Sequence, residues 1–181
     1  MKLVILGGSG SGKSTQAEML CTNLNVPIIS TGEVLRKAIS NSSNLGIRAQ
    51  PYLEAGELVP DEMMIEFIKN HLKEPEFQGG WLLEGYPRTA FQAEELDFLL
   101  EELGQQLNWV IYLQVTQDAM IARCLDRSLP DDQPEIIQRR IELFYERTIP
   151  ILEYYDRRCR LLKIDGDRSS EEVQQSIKNL I

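Results

Sequence analysis

A glycine-rich turn near the start of the chain carries the residue types that bind a polyphosphate. Gly7 and Gly12 precede Lys13 and Ser14 in the spacing Gly-x-x-x-x-Gly-Lys-Ser, between an apolar run and a helical pattern. In such a phosphate-binding loop, or P-loop, glycines let backbone N–H groups converge on phosphate oxygens, and the N-terminus of the next helix attracts the anion. The lysine reaches the β- and γ-phosphates, while the serine hydroxyl can help to hold Mg²⁺. The pattern therefore predicts a site for a nucleoside triphosphate.

Several arginines are placed to receive a second anionic group. Arg36 follows the second predicted strand and Arg88 follows the third, at the strand ends where ligands bind in parallel sheets. Three more arginines lie further along the chain, around the pair Asp131-Asp132: Arg123, Arg127 and Arg140. A hydroxyl acceptor would require a carboxylate base, whereas a phosphate acceptor is already ionised and requires cations that offset the repulsion between two anions. The arginines therefore favour a phosphate as the acceptor.

Short apolar runs alternate with helical patterns along the chain. Five runs predict buried parallel strands: Lys2–Leu6, Pro27–Ile29, Trp81–Leu83, Trp109–Val115 and Leu161–Ile164. The alternation predicts an α/β fold with a doubly wound, five-stranded parallel sheet. Two segments look like insertions: Ser30–Val59 holds two helical patterns without a strand, and Arg127–Pro134 is a polar, proline-bearing bridge before a long helical pattern that continues to Arg158.

Composition limits the functional classes that fit. The 181 residues are enough for one domain with a substantial core. A net charge of −9 argues against broad nucleic-acid binding. Neither a membrane-spanning stretch nor an export signal is found, so we expect a cytoplasmic protein without a membrane partner. Three widely separated cysteines and the single His71 argue against a zinc site or a disulfide framework.

The chain resembles the adenylate kinases, and more broadly the nucleoside monophosphate kinases, over essentially its full length. Several motifs carry the resemblance in the same order: Gly7–Gln16, Ser30–Arg36, Gly56–Asp61, Leu83–Thr89, Gln92, Arg123 with Arg127, Asp131-Asp132 and Arg140. The resemblance implies a monomeric P-loop enzyme that transfers a phosphoryl group reversibly from MgATP to AMP without a general base. It also implies a core at 1–29, 60–122 and 134–181, a nucleoside-monophosphate-binding insertion at 30–59 and a short lid at 123–133.

The resemblance further implies a role for each matching residue. ATP would be held by Gly10, Ser11, Gly12, Lys13, Ser14, Thr15, Arg127 and Gly166. AMP would be bound by Thr31, Arg36, Glu57, Leu58, Val59, Gly85, Tyr86, Pro87, Arg88, Gln92 and Arg140. Catalysis would rest on Lys13, Arg88, Arg123, Arg127 and Arg140, and Mg²⁺ would be held through water by Ser14 and Glu84. The two aspartates, Asp131 and Asp132, would position arginines by ion pairing.

Four positions depart from the family's usual residues. Ser9 stands in place of proline, and Ser14 stands in place of glycine, which restores the general P-loop hydroxyl. Glu84 stands in place of aspartate and keeps the charge with a longer reach. Leu129 stands where a lid arginine is common, so one phosphate-neutralising cation is missing unless Arg139 or another cation substitutes. We therefore expect slower turnover than in a relative with the full arginine set.

Three other functions compete with AMP phosphorylation. A UMP/CMP kinase is opposed by Thr31, which is the adenylate-type residue, and is mildly favoured by the run Arg123–Arg127. A kinase that phosphorylates a hydroxyl group fits the P-loop but not the later motifs. A P-loop nucleotide-binding protein with weak or no transferase activity is kept open by Leu129 and Glu84.

Overall fold

A five-stranded parallel sheet forms the centre of the molecule. The computed structural model describes residues 1–127, 129 and 131–181. Its strands are β1 (Lys2–Leu6), β2 (Ile28–Ser30), β3 (Trp81–Glu84), β4 (Trp109–Gln114) and β5 (Leu161–Asp165). They pair in the order β2-β3-β1-β4-β5, all parallel. The predicted fold class is therefore confirmed, with each strand within about a residue of its expected bounds.

Helices connect the strands and cover both faces of the sheet. In chain order they are α1 (Lys13–Leu24), α2 (Thr31–Ser40), α3 (Asn44–Glu54), α4 (Asp61–Leu72), α5 (Ala90–Glu102), α6 (Gln117–Arg127), α7 (Pro134–Leu143), α8 (Ile149–Asp156) and α9 (Ser170–Lys178). A π-helical turn, Phe144–Thr148, joins α7 to α8. The long helical pattern predicted to reach Arg158 is therefore two helices with a π turn between them, and it ends two residues earlier. In the part of the chain that the structure describes, no helix combines the length and the apolar character needed to cross a bilayer.

The strands are apolar almost throughout because neither face of the sheet is open to water. On one face Leu3 and Ile5 pack in a cluster with Leu20 of α1 and Ile177 of α9. The other face is covered by a larger cluster that includes Val4, Leu6, Leu83, Ile68, Leu96, Leu100, Ile151 and Tyr155. Burial on both faces explains why the strands read as continuous apolar runs rather than as alternating patterns.

The strand order places a crevice at one edge of the sheet. β1 pairs with β3 on one side and with β4 on the other, so the chain connections run in opposite directions from β1. In open α/β sheets, ligands bind at such a switch point, beyond the carboxyl ends of the strands. The P-loop follows β1 at this point, and Arg88 follows the neighbouring β3. The topology therefore brings the two predicted anion-binding regions to the same edge.

The segment 30–59 contains α2 and α3, which pack tightly against each other. Ser43 caps α3, since its Oγ accepts a hydrogen bond from the N–H of Gly46 at 3.1 Å. Gly46 is the point of closest approach, because a Cβ added there would lie 2.1 Å from the carbonyl oxygen of Ala38. The two helical patterns predicted for this segment are therefore present, and a glycine sets the distance between them.

We expect Gly46→Ala to destabilise the protein. Alanine in a helix is favoured over glycine by about 1 kcal/mol, but the contact with backbone atoms of Ala38 leaves no room and overpacking costs about 1–3 kcal/mol. The clash should prevail and lower the midpoint of thermal unfolding by a few degrees, measured by circular dichroism. Gly79→Ala is the matched control, because no atom lies within 4 Å of a Cβ at that position. A Gly46→Ala protein that melts like Gly79→Ala would contradict this packing.

Candidate active site

One cleft of about 480 Å³ lies at the switch point and collects most of the predicted residues. Its walls come from the P-loop, the start of α2, the turn 56–59, the turn after β3, and the facing sides of α6 and α7. Eighteen of the site residues expected from the sequence line it, and Asp131 lies beside them: Gly10, Gly12, Lys13, Ser14, Thr15, Thr31, Arg36, Glu57, Leu58, Val59, Glu84, Gly85, Pro87, Arg88, Gln92, Arg123, Arg127 and Arg140. Segments far apart in the sequence therefore converge on one space.

The P-loop is held in its shape by glycines and by contact with α6. Gly10 and Gly12 have φ values of 80° and 88°, in the left-handed region that favours glycine. A Cβ on Gly10 would lie 2.2 Å from the carbonyl oxygen of Met120 in α6, so only glycine allows this approach. The N–H groups at the start of α1 have no acceptor within the helix and are available to an anion.

Lys13 lies inside the cleft and folds back over its own loop. Its Nζ donates a hydrogen bond to the carbonyl oxygen of Gly8 at 2.7 Å. Burial lowers the pKa of Lys13 to about 8, and the nearby guanidinium groups of Arg88 and Arg127 act in the same direction, while Glu84 opposes the shift. A bound polyphosphate would favour the charged ammonium. The surroundings of Lys13 therefore suit an anionic ligand.

Glu84 joins the two sides of the cleft through its carboxylate. Ser14 of the P-loop donates from Oγ to Oε1 of Glu84 at 3.3 Å, and Ser30 at the start of the insertion donates from Oγ to Oε2. Thr31 donates from Oγ1 to the Glu84 carbonyl oxygen at 3.2 Å. A buried carboxylate and a serine hydroxyl facing the cleft are hard oxygen donors that fit Mg²⁺, which usually binds with substrate phosphates and several waters. Within residues 1–127, 129 and 131–181, no cluster of three or more acidic, histidine or cysteine side chains could hold a metal alone.

Two aspartates hold two arginines over the cleft. Arg127 donates to Asp132 from Nε and Nη2 at 2.9 and 2.8 Å, and the Asp132 side chain is fully buried. Arg140 pairs with Asp131 and lies 3.6 Å from Asp132. The hydrogen bond with Asp132 raises the pKa of Arg127. Burial alone would raise the pKa of Asp131, but its hydrogen bond with Arg140 and the charges of Arg140 and Arg36 together lower the pKa.

Arg36 and Arg88 form no ion pair with a carboxylate among the described residues, although both line the cleft. Arg88 donates from Nε to the Gly85 carbonyl oxygen at 2.9 Å. Burial lowers the pKa of Arg88, Glu84 opposes this, and Arg140 and Arg36 add to the lowering. Gly85 has a φ of 84°, and a Cβ there would lie 2.3 Å from Oγ1 of Thr31. Two guanidinium groups thus converge with only partial compensation from nearby carboxylates, and an anionic ligand would supply the rest.

The far end of the cleft combines apolar side chains with a few polar groups. Leu35, Leu53 and Met64 contribute apolar surface. Gln92 presents a side-chain amide, and in the described part of the chain no hydrogen bond engages the backbone of Leu58 or Val59. An apolar wall with a few placed polar groups is typical of a small-molecule pocket, and it would suit a heterocyclic base. Glu57 is tied to α7 instead, because Arg139 donates from Nε to its Oε1 at 2.6 Å.

Three residues expected to bind substrate do not line the cleft. Ser11 is buried under the loop, and its N–H donates to the Gly8 carbonyl oxygen at 3.2 Å. Tyr86 is a core residue whose hydroxyl donates to the Gln92 carbonyl oxygen at 3.2 Å. Gly166 instead accepts a hydrogen bond from Nη1 of Arg123 at 3.0 Å. All three support neighbours that line the cleft.

The lid predicted at 123–133 is only partly described. Its first five residues are the last turn of α6, whereas Ser128 and Pro130 lie outside the described residues. Leu129 is half-buried, and its N–H donates to Oδ2 of Asp132 at 3.1 Å. Arg139 pairs with Glu57 and Glu142 and does not line the cleft, so it does not take the place of the missing lid arginine.

The sequence did not identify several residues that shape the cleft. Leu35, Leu53 and Met64 have the helical spacing of ordinary core residues, so no signal separates them from the core. Thr148 reaches the cleft through the π turn, and its Oγ1 donates to the Arg88 carbonyl oxygen at 3.0 Å. Asp61 does not line the cleft but accepts a hydrogen bond from Gln92. The motif Gly56–Asp61 gave no indication of this contact.

The fold and the cleft together define a P-loop kinase whose acceptor is anionic. The chain belongs to the adenylate kinase family, because the family model described as Adenylate kinase matches residues 5–160. It is 68% identical over 181 residues to "Adenylate kinase 2" of Nostoc sp. (strain PCC 7120), covering 100% of this chain and 98% of that relative. It is 54% identical over 177 residues to "Adenylate kinase 2" of Synechocystis sp. (strain PCC 6803), covering 98% of each chain. The predicted family and enzyme class, a phosphotransferase, are confirmed.

We expect ATP binding to take up a proton through Lys13 at mildly alkaline pH. With a pKa of about 8 in the free protein, Lys13 is largely neutral near pH 9 and becomes charged beside the polyphosphate. Isothermal titration calorimetry at about pH 9, in buffers of different ionisation enthalpy, should detect more than about half a proton taken up per ATP. Near pH 6.5 Lys13 is already charged, and its contribution should disappear.

The matched variant for this measurement is Lys13→Arg, because a guanidinium stays charged at both pH values. Its ATP binding should show no proton uptake at alkaline pH. A wild-type binding enthalpy that is independent of the buffer near pH 9 would contradict the lowered pKa of Lys13.

Proposed function

We propose that this protein transfers the γ-phosphoryl group of ATP reversibly to AMP, giving two molecules of ADP. Membership of the adenylate kinase family supports this reaction. The observation that carries the proposal is that Arg36 and Arg88, which have no carboxylate partner in the described chain, face the same cleft as Lys13 of the P-loop. Such a cleft accepts two anionic ligands side by side.

ATP would bind with its phosphates on the P-loop. The N–H groups of Gly12–Thr15 and the ammonium of Lys13 are the nearest donors, and Arg123 and Arg127 approach from α6. AMP would bind across the cleft, with its phosphate between Arg36 and Arg88. Its base would lie near the apolar far end, where Thr31, Gln92 and the backbone of 57–59 surround it.

Charge neutralisation is the main catalytic task in this cleft. The phosphate of AMP is already ionised and nucleophilic, so no base has to remove a proton. Arg88, Arg127 and Arg140 offset the repulsion between acceptor and donor and stabilise charge on the transferred group. Ser14 and Glu84 would hold Mg²⁺ through water. Bound there with ATP, the ion would neutralise phosphate charge.

We also propose a division of the chain into moving and static parts. The core would comprise 1–29, 60–122 and 134–181, the insertion 30–59 would cover AMP, and the lid 123–133 would cover ATP. Their closure would exclude water and limit ATP hydrolysis. The cytoplasmic location and the monomeric state stay predictions of the sequence.

Lys13→Met should abolish transfer and leave the fold intact. Loss of one such cation lowers the rate of transfer at least about a hundredfold. We therefore expect ADP formation in a coupled assay to fall to background. Lys178→Met, at an exposed position at the end of α9, is the control for removal of a lysine. Unchanged turnover in a folded Lys13→Met protein would refute the assignment of the ATP site.

The same assay with AMP, UMP, CMP and GMP separates the competing functions. AMP should be by far the best acceptor for the wild-type protein. A preference for UMP or CMP would identify a pyrimidine kinase, and ATP consumption that no nucleotide accelerates would identify a binding protein with little transferase activity.

Leu129→Arg should accelerate turnover. A guanidinium in the connection between α6 and α7 would restore a phosphate-neutralising group, and such groups contribute up to about a hundredfold in rate. Leu129→Met is the matched control, because it conserves volume without adding charge. Steady-state kcat with ATP and AMP is the measurement. A folded Leu129→Arg protein that turns over no faster than Leu129→Met would count against the importance of the missing cation.

A further inference from the structure

The side-chain amide of Gln92 is held at both ends. Its Nε2 donates to Oδ1 of Asp61 at 2.8 Å, and its Oε1 accepts from the N–H of Arg88 at 2.8 Å. Gln92 is only 2% exposed, and it lines the cleft at the end proposed for the base. A side chain that could rotate freely is therefore fixed in one position.

The two partners also determine the orientation of the amide, that is, which side carries the NH₂ group and which side carries the oxygen. An ionised carboxylate such as Asp61 only accepts hydrogen bonds, and a backbone N–H such as that of Arg88 only donates. If the amide turned over, its NH₂ group would face the Arg88 N–H and its oxygen would face the carboxylate. Both contacts would then be repulsive, so one polarity is strongly preferred.

Amide polarity is the property that distinguishes the two purines. Adenine carries an amino donor beside a ring nitrogen acceptor, whereas guanine carries a carbonyl acceptor beside a ring N–H donor. One amide polarity complements the first pattern, and the opposite polarity complements the second. Gln92 keeps one hydrogen on Nε2 and one lone pair on Oε1 for such a contact.

We propose that Asp61 is a specificity-determining residue of this enzyme, which fixes the amide polarity of Gln92 and so makes the cleft prefer adenine over guanine in the acceptor nucleotide. This inference rests on the proposed function, since it takes AMP as the acceptor. Asp61 does not line the cleft, so it acts through Gln92 as a positioning residue.

The surroundings of Asp61 reinforce this arrangement. Thr89 donates from Oγ1 to Oδ1 of Asp61 at 3.2 Å, and the same hydroxyl accepts from the N–H of Gln92 at 3.2 Å. Both the backbone and the side chain of Gln92 are thus linked to one carboxylate. Asp61 is also the first residue of α4, where any acid favours the helix dipole. A test has to separate this helix contribution from the contact with Gln92.

The variants Asp61→Asn and Glu62→Gln separate the helix contribution from the contact with Gln92. Asparagine has nearly the volume of aspartate, but its amide can donate as well as accept, so it tolerates either polarity of Gln92. Glu62 is the exposed neighbour in the same first turn of α4, and Glu62→Gln removes an equal charge from the helix terminus. The thermal unfolding midpoints of both variants show that each is folded.

The measured quantity is kcat/KM for AMP divided by kcat/KM for GMP, with ATP as donor. In Asp61→Asn we expect this ratio to fall about tenfold or more, through a higher KM for AMP and better use of GMP. The kcat at saturating AMP should change much less. Glu62→Gln should keep the wild-type ratio. Asp61→Ala, which removes the acceptor altogether, should lower the ratio in the same way.

Each outcome decides one of the two proposals. A folded Asp61→Asn or Asp61→Ala protein that keeps the wild-type ratio overturns the role of Asp61 and leaves the AMP kinase function standing. Wild-type protein that does not use AMP overturns the function itself. If neither variant folds, Asp61 is a structural residue and the proposal is wrong. An equal loss in Glu62→Gln would assign the effect to the helix terminus and would also overturn it.

Discussion

The structure depends on gathering several cations into one cleft. Like charges in a partly buried space repel, and the pKa of Lys13, lowered to about 8, reflects burial together with neighbouring guanidinium groups. Asp131, Asp132 and Glu84 supply part of the compensating charge. The remaining positive charge has no carboxylate partner among the described residues, and such an arrangement suits a phosphate ligand.

The carboxylates that compensate this charge also fix the positions of the groups that they contact. Asp132 is fully buried and binds Arg127 by two hydrogen bonds, which restricts the guanidinium to one plane. Glu84 connects Ser14 of the P-loop with Ser30 at the start of the segment 30–59. Its longer side chain, compared with the family's usual aspartate, is matched by a serine in place of the usual glycine at position 14. The two departures are therefore in contact with each other.

The far end of the cleft depends on two contacts of different strength. Glu57 and Arg139 join the turn 56–59 to α7 through an exposed ion pair, and such pairs add little stability because water screens them. By contrast, the buried side-chain amide of Gln92 donates a hydrogen bond to Asp61. This end of the cleft is therefore held by a weak contact at the turn 56–59 and by a stronger contact at Gln92.

The sequence by itself determined the sheet, the P-loop and the set of arginines at its edge, because apolar runs and local motifs act over short stretches of chain. It also identified most of the residues that line the cleft, although their roles stay predictions. Only the tertiary structure decided that Ser11 and Tyr86 are buried supports and that Thr148 reaches Arg88 through a π turn. It also decided the polarity of the Gln92 amide, which depends on a carboxylate 31 residues away. Hydrogen-bond direction between distant segments leaves no periodic trace in a sequence, since it arises only when folding brings the partners together.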